Sequence, residues 1–185
     1  CDVKLSEQNE ILIKHNALMD GYYKEDEQTS ETIKEGWLYT GDEGYIDENG
    51  FLRITGRVKD IFKTSKGKYV APSPIEMKLS ANKNIEQVCV VGDGIPQPIA
   101  LVVLSEAGKV KPEEKLTSSL QETLSVVNPK LDKHEKIHNI IVVKEEWTIE
   151  NKLLTPTMKI KRNSIEKKYK EHYSNWYHSS SKIIT

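Results

Sequence analysis

Cysteine is nearly absent from the sequence: Cys1 and Cys89 are the only two among 185 residues, which excludes a disulfide framework. Cys89 lies in Val88-Cys-Val-Val91, where a thiol behaves as a small hydrophobe, and a reducing, cytoplasmic setting is expected. No apolar run approaches the roughly 20 residues needed to span a bilayer, and no signal peptide is expected. Net charge of either sign is lacking too. Lys and Arg number 27 against 28 Asp and Glu, for a formal charge of −1, so bulk electrostatics favours neither nucleic acid nor an anionic membrane. The charge runs present, Lys24-Glu-Asp-Glu27 and Lys144-Glu-Glu146, are short and read as solvated faces. At 37% hydrophobic and 30% charged residues, the chain can form one ordinary domain, or a small domain plus a piece of another.

Periodicity supplies the elements. Residues 10–13 and 37–55 read as β structure, with Asn49-Gly50 as a hairpin turn between two strand-like runs, since both residues tolerate positive φ. These strands are too few to bury a core alone and look cut from a larger body. Beyond Arg57 the pattern can close on itself. Ser73-Pro-Ile-Glu76 has the form of a helix start, with Ser73 as N-cap, Pro74 at the first helical position and Glu76 completing a capping box. Apolar strands are expected at about 86–91, 99–104 and 137–143. Leu116, Leu120, Leu124 and Val127 mark one face of a helix beginning near Pro112. Ile165, Tyr169, Tyr173 and Trp176 mark a last amphipathic helix, followed by a polar tail. Helices alternating with short strands argue for an α+β fold, a short β-sheet flanked by helices.

Two local matches are weak. His134-Glu-Lys-Ile-His138 has the H-E-x-x-H spacing of a zinc site, which needs a helix placing both imidazoles on one face and a third ligand. A strand-like run begins at Asn139, and no third ligand follows convincingly. Gly92-Asp-Gly94 lacks the third glycine and helix of a dinucleotide loop, so it reads as a turn.

Four segments carry more: Gly36-Trp-Leu-Tyr-Thr-Gly-Asp-Glu-Gly-Tyr45, Ile54-Thr-Gly-Arg-Val-Lys-Asp-Ile-Phe-Lys63, Ser65-Lys-Gly-Lys-Tyr-Val-Ala-Pro-Ser-Pro-Ile-Glu76 and Leu154-Thr-Pro-Thr-Met-Lys-Ile-Lys-Arg162. In this order and spacing they resemble the C-terminal half of the adenylate-forming (AMP-binding) acyl-CoA synthetase superfamily. Glu10-Ile-Leu-Ile-Lys and Gly21-Tyr-Tyr extend the likeness upstream. Leu154-Thr-Pro-Thr-Met-Lys159 is most similar to the long-chain fatty acid CoA ligase branch.

The resemblance implies residue roles that chemistry alone leaves open. Asp42 would bind the ribose hydroxyls of the nucleotide, as a carboxylate accepting two hydrogen bonds; by itself it would read as a turn cap. Arg57 would contact the same ribose, although alone it reads as a surface salt bridge. Lys59, with Asp60 as second choice, would be the hinge between the large and small domains; without the likeness they are an exposed charged pair. Ser65, Lys66, Gly67 and Lys68 would line the CoA tunnel, with the missing side chain of Gly67 admitting the pantetheine arm and the two lysines near CoA phosphates. Lys159 would be the catalytic residue, meeting carboxylate and α-phosphate during adenylation, where composition offers only a basic strand end with Lys161 and Arg162.

The same resemblance implies residues 1–56 as the tail of the large AMP-binding domain and 57–185 as the mobile C-terminal domain. ATP and CoA are the implied co-substrates and a fatty acid the substrate. Mg²⁺ is expected on the missing N-terminal AMP-binding domain, together with a phosphate loop and acyl pocket that this sequence lacks, so the fragment alone is expected to be inactive. No nucleic acid partner is implied; peripheral membrane contact and oligomeric state stay open. An enzyme that loads a carrier protein, or a non-catalytic nucleotide- or CoA-binding module, are the alternatives, with a luciferase-like oxygenase behind them.

Overall fold

The computed structural model describes all residues from Cys1 to Thr185, and these divide into two compact units, Cys1–Asp60 and Ile61–Thr185. The first is an antiparallel sheet. Strands β1 (Asp2–Leu5) and β2 (Glu10–Lys14) form a hairpin. A short helix α1 (Asp26–Thr32) and strand β3 (Ile33–Lys34) lead into β4 (Trp37–Ile46), which pairs with β2, β3 and β5 (Leu52–Arg57). The expected hairpin between β4 and β5 is present, but only Gly50 takes a positive φ, of 79°. Asp47 controls the rest: its Oδ1 accepts the amides of Asn49 and Phe51 at 3.0 and 2.9 Å, an Asx-type turn that leaves Asn49 in ordinary geometry. A turn of 3-10 helix, Val58–Asp60, ends this unit.

The second unit opens with a two-stranded ribbon, β6 (Phe62–Lys63) and β7 (Tyr69–Val70), then α2 (Pro72–Leu79), β8 (Ile85–Val91), β9 (Ile99–Leu104), α3 (Glu106–Lys109), α4 (Glu113–Val127) and β10 (Ile140–Val142). It closes with α5 (Arg162–Tyr169), α6 (Tyr173–Tyr177) and β11 (Ile183–Ile184). The sheet order is β11-β10-β9-β8, with β8 antiparallel to β9 and the other pairs parallel.

The apolar strands are explained by burial on both faces. Successive strand residues point to opposite sides, so Val88, Val90, Ala100, Val102 and Ile140 face a cluster with Ile75 and Leu79 of α2 and Leu116, Leu120, Leu124 and Val127 of α4. Cys89, Val91, Leu101, Val103 and Ile141 face the other cluster, with Ile165, Tyr169 and Tyr173. A sheet covered on both sides has no polar face to show in its sequence. Cys89 is fully buried there, as its apolar setting suggested.

Several boundaries differ from the sequence expectation. Helix α2 starts at Pro72 with Ala71 as its N-cap and no side-chain cap, so Ser73 lies inside the helix. Proline needs no amide partner and its φ suits a first turn, which lets the helix start earlier. Glu76 does not close a capping box; it turns inward, as described below. Strand β10 is shorter than 137–143 because the Ile137 backbone is engaged elsewhere: its amide donates to Asn128 Oδ1 at 2.8 Å and its carbonyl accepts from Asn128 Nδ2 at 3.0 Å. The last helix is interrupted by a 3-10 turn, Lys170–His172. The polar tail ends in β11, where Ile183 is buried beside Ile140, a pairing that an apolar pair at a chain end allows.

The H-E-x-x-H residues are not helical. His138 stacks on Tyr177, ring centroids 4.2 Å apart. Gly92-Asp-Gly94 forms a turn, with the Ile95 amide donating to the Gly92 carbonyl at 3.2 Å.

Candidate functional site

One turn design recurs through the chain and holds two of the candidate site segments. At 6–10, 47–51, 64–68 and 155–159 the first residue donates its amide to the fifth carbonyl (2.8–2.9 Å), and its carbonyl accepts the fourth amide (2.8–3.0 Å). The first residue is Ser6, Asp47, Thr64 or Thr155, and its side-chain oxygen accepts the fifth amide at 2.9–3.2 Å. The fourth residue is left-handed each time: Asn9, Gly50, Gly67 and Met158 have φ of 60°, 79°, 77° and 62°. Asn and Gly suit that conformation, whereas a methionine there is strained by about 1–2 kcal/mol.

Lys159 is the fifth residue of the last such turn. Pro156 occupies the second position, where its fixed φ suits the turn, and Leu154 bridges Ile160 across the base. The Lys161 amide donates to the Leu153 carbonyl at 2.8 Å. The Lys159 amide and carbonyl are both engaged by Thr155, while its side chain is exposed, as is Met158 at 63%. The backbone is therefore fixed and the ammonium is presented to solvent.

Immediately after the hairpin comes a buried charge cluster that the motif reading passed over. The Arg162 guanidinium donates from Nη2 to Glu76 Oε1 at 2.7 Å, and from Nη1 to the Val90 carbonyl at 2.8 Å and Cys89 Sγ at 3.2 Å. The Val90 amide donates to the same Glu76 oxygen at 2.7 Å. The two side chains are only 7% and 13% exposed. A signal was present: Arg162 precedes Ile165 and Tyr169 at helical spacing, which places a charge on the buried stripe of α5.

The segment of Ser65, Lys66, Gly67 and Lys68 is the exposed turn joining β6 to β7, tied down where the Ser65 amide donates to the Ile95 carbonyl at 3.0 Å. Thr64 at its start is buried.

In the first unit, Thr40-Gly-Asp42 departs from regular strand geometry. Gly41 has φ of 73°, and its amide donates to Glu10 Oε1 at 2.8 Å. The Thr40 hydroxyl donates to the Ile11 carbonyl at 2.8 Å and accepts the Asp42 amide at 3.1 Å. The register shifts between Glu43 and Gly44. A side chain at Gly44 would have its Cβ 2.5 Å from the Arg53 carbonyl oxygen. Asp42 pairs in register with Arg57, and Arg57 Nε lies 3.1 Å from Asp42 Oδ1. Lys59 and Asp60 sit in the 3-10 turn at the end of the same unit, with Lys59 exposed.

The structure thus brings Asp42 and Arg57 together in one unit and presents Lys159 and the Gly67 turn in the other. No three His, Cys, Asp or Glu side chains gather closely enough to hold a metal ion. No helix is long and apolar enough to cross a membrane.

This architecture is that of adenylate-forming enzymes. The adenylation domain of a carboxylate reductase from Mycobacterium chelonae superposes with a TM-score of 0.82 over 97% of this chain and 31% of that one, at 24% identity. The AMP complex of a carboxylic acid reductase adenylation–carrier didomain from Segniliparus rugosus gives a TM-score of 0.74 at 27% identity, over 91% of this chain and 24% of that one. The chain belongs to the AMP-binding enzyme C-terminal domain family, whose model matches residues 59–181. It is also similar to long-chain-fatty-acid–CoA ligase FadD15 of Mycobacterium tuberculosis, 30% identical over 184 residues that cover 90% of this chain and 31% of the relative. Long-chain-fatty-acid–CoA ligase 5 of Mus musculus is 34% identical over 194 residues, covering 95% of this chain and 28% of that protein. The chain spans about a third of the length of the curated relatives it matches.

Proposed function

We propose that this chain is the C-terminal part of a long-chain fatty acid CoA ligase, with residues 1–56 completing a large AMP-binding domain and 57–185 forming the domain that moves against it. In the first step a fatty acid carboxylate oxygen attacks the α-phosphorus of ATP, the α–β phosphoanhydride bond breaks, and acyl-AMP and pyrophosphate form. In the second, the CoA thiol loses its proton and attacks the acyl carbonyl, AMP leaves, and acyl-CoA forms. The observation that carries the reading is an exposed Lys159 on a backbone fixed by its own turn, in a chain whose curated relatives are long-chain fatty acid CoA ligases.

An ammonium on such a platform neutralises the negative charge that grows as carboxylate approaches phosphate, and the fixed backbone lowers the ordering cost at that moment. Asp42 accepts hydrogen bonds from the two ribose hydroxyls, with Arg57 beside it on the same nucleotide. The exposed turn of Ser65, Lys66, Gly67 and Lys68 passes along the pantetheine arm, its lysines toward CoA phosphates. Lys59, or Asp60 beside it, absorbs the backbone rotation between the two steps. A reducing, cytoplasmic compartment suits two unpaired thiols, one buried.

The test is acceptor choice in the enzyme carrying this chain with its large domain. Fatty-acid-dependent acyl-CoA formation that Lys159→Ala abolishes is the expected result. Acyl transfer to a carrier protein but not to CoA would move the chain to the carrier-loading class, and intact function in Lys159→Ala would make it a binding module. The chain by itself is expected to catalyse no fatty-acid-dependent pyrophosphate exchange.

A further inference from the structure

We propose that the buried Glu76–Arg162 pair is the positioning element for Lys159, fixing the direction in which the lysine hairpin leaves the sheet; this rests on the adenylation role given to Lys159. The hairpin is well ordered within itself, but its internal hydrogen bonds say nothing of how it is aimed. Aim is set at its two roots. The first is Leu153-Leu154, buried against the sheet, with Leu153 accepting the Lys161 amide. The other root is Arg162, the third residue after Lys159, whose side chain enters the interior between α2 and β8.

Three features mark the pair as more than filler. A guanidinium is costly to bury, and this one is offset by a carboxylate, a backbone carbonyl and a thiol at once, from two different elements. Glu76 is itself held by the Val90 amide, so helix, strand and hairpin root meet at one carboxylate oxygen with little freedom to rotate. The pair's chain neighbours are apolar and buried: Ile75 and Leu79 flank Glu76 on α2, and Val91 follows Val90 on β8. An apolar pair of similar volume would pack there at comparable stability, which leaves directional constraint as what the charges add.

That argument supplies the test, made in the enzyme joined to its large domain. Glu76→Met/Arg162→Met removes both charges and keeps the volume, so the protein is expected to fold. Acyl-AMP formation should fall about tenfold or more, the usual result of displacing a catalytic group by a fraction of an ångström to an ångström. CoA attack on supplied acyl-AMP should stay within about twofold, because that step does not use Lys159. Hydrogen exchange at the Lys161 amide should quicken, and Arg162→Lys should recover part of the adenylation rate. A folded double variant with normal adenylation, or equal loss in both half-reactions, overturns the proposal and leaves the pair a purely structural contact. Should the double variant fail to fold, Arg162→Lys and Glu76→Gln decide by the same split. Lys159→Ala separates the two levels: if it leaves adenylation intact, the proposed function itself is wrong, whereas loss in Lys159→Ala with none in Glu76→Met/Arg162→Met rejects the positioning role alone.

Discussion

Asp42 and Arg57 face each other across paired strands with Oδ1 and Nε 3.1 Å apart, the aspartate about one-third and the arginine about two-thirds exposed. At that exposure the ion pair contributes about 0–1 kcal/mol to stability, so the fold does not depend on it. The left-handed Gly41 and the Thr40 hydroxyl that holds the Asp42 amide set the carboxylate in place. Asp42→Ala should therefore leave the melting temperature nearly unchanged while it removes both acceptors for a ribose diol. Hydrogen bonds to a charged group contribute about 1.5–3 kcal/mol each, so kcat/KM for ATP should fall at least about tenfold. Unchanged ATP kinetics would show that Asp42 serves only its turn and Arg57.

Met158 is the exception among the left-handed turn residues, and its strain should be measurable. Met158→Gly removes a steric penalty of about 1–2 kcal/mol and adds about 0.5–1 kcal/mol of unfolded-chain entropy. A net gain of about 1 kcal/mol would raise the melting temperature of a unit this size by about 4 °C. Because Met158 is exposed, little packing is lost with its side chain. A lower melting temperature for Met158→Gly would mean that the thioether packs in a way that outweighs the strain.

His138 lies partly buried against Tyr177. Burial, then the charge of Lys182 and the nearby His178, hold its imidazole below the ordinary histidine range, despite a raising contribution from Tyr177. A depressed folded value means that the unfolded chain binds the proton first as pH falls. The histidine's contribution is present above about pH 6.5 and is lost as pH drops from there toward the folded value. Thermal stability of the wild-type protein should thus decline between pH 7 and 5 more steeply than that of His138→Phe, which keeps the ring stack. Parallel stability curves for the two would refute this origin of the slope.

The comparison between sequence and fold turns on the range of each signal. Helix α4 and strands β8 and β9 were legible because burial repeats along them: four apolar residues on one helical face, then strands apolar on both faces. The candidate site segments were legible only by resemblance. Exposed Lys159 and the 65–68 turn have no local pattern that separates a ligand-binding cation from a solvated one. What misled was a local rule met by accident. Ser73-Pro-Ile-Glu76 fits a capping box, yet Glu76 is claimed by Arg162, far off in sequence and adjacent in space. The recurring turn escaped notice because its first residue varies among Ser, Asp and Thr, and its left-handed residue among Asn, Gly and Met. Helix α1 and strand β3 have no buried residues to give them a period.

The most discriminating prediction concerns the division of labour between the two half-reactions. Lys159 stands on one turn and Gly67 on another of the same design, and each is proposed to serve a different step. Lys159→Ala should slow pyrophosphate release in single turnover by about a hundredfold or more, the scale on which a positioned charge acts, while acyl-CoA formation from synthetic acyl-AMP stays near normal. Gly67→Leu should do the opposite, by filling the pantetheine path. That variant also meets a left-handed strain of about 1–2 kcal/mol, so Gly67→Asn, which tolerates the conformation, is the control for turn distortion. Asn should impair the second step less than Leu if bulk is the cause, and equally if the turn has simply broken. Lys59→Pro, which fixes φ near −65° and restricts the residue before it, should trap the Val58–Asp60 turn in one state and spare a single half-reaction. If Lys159→Ala and Gly67→Leu each slow both steps alike, this chain does not alternate between two catalytic arrangements.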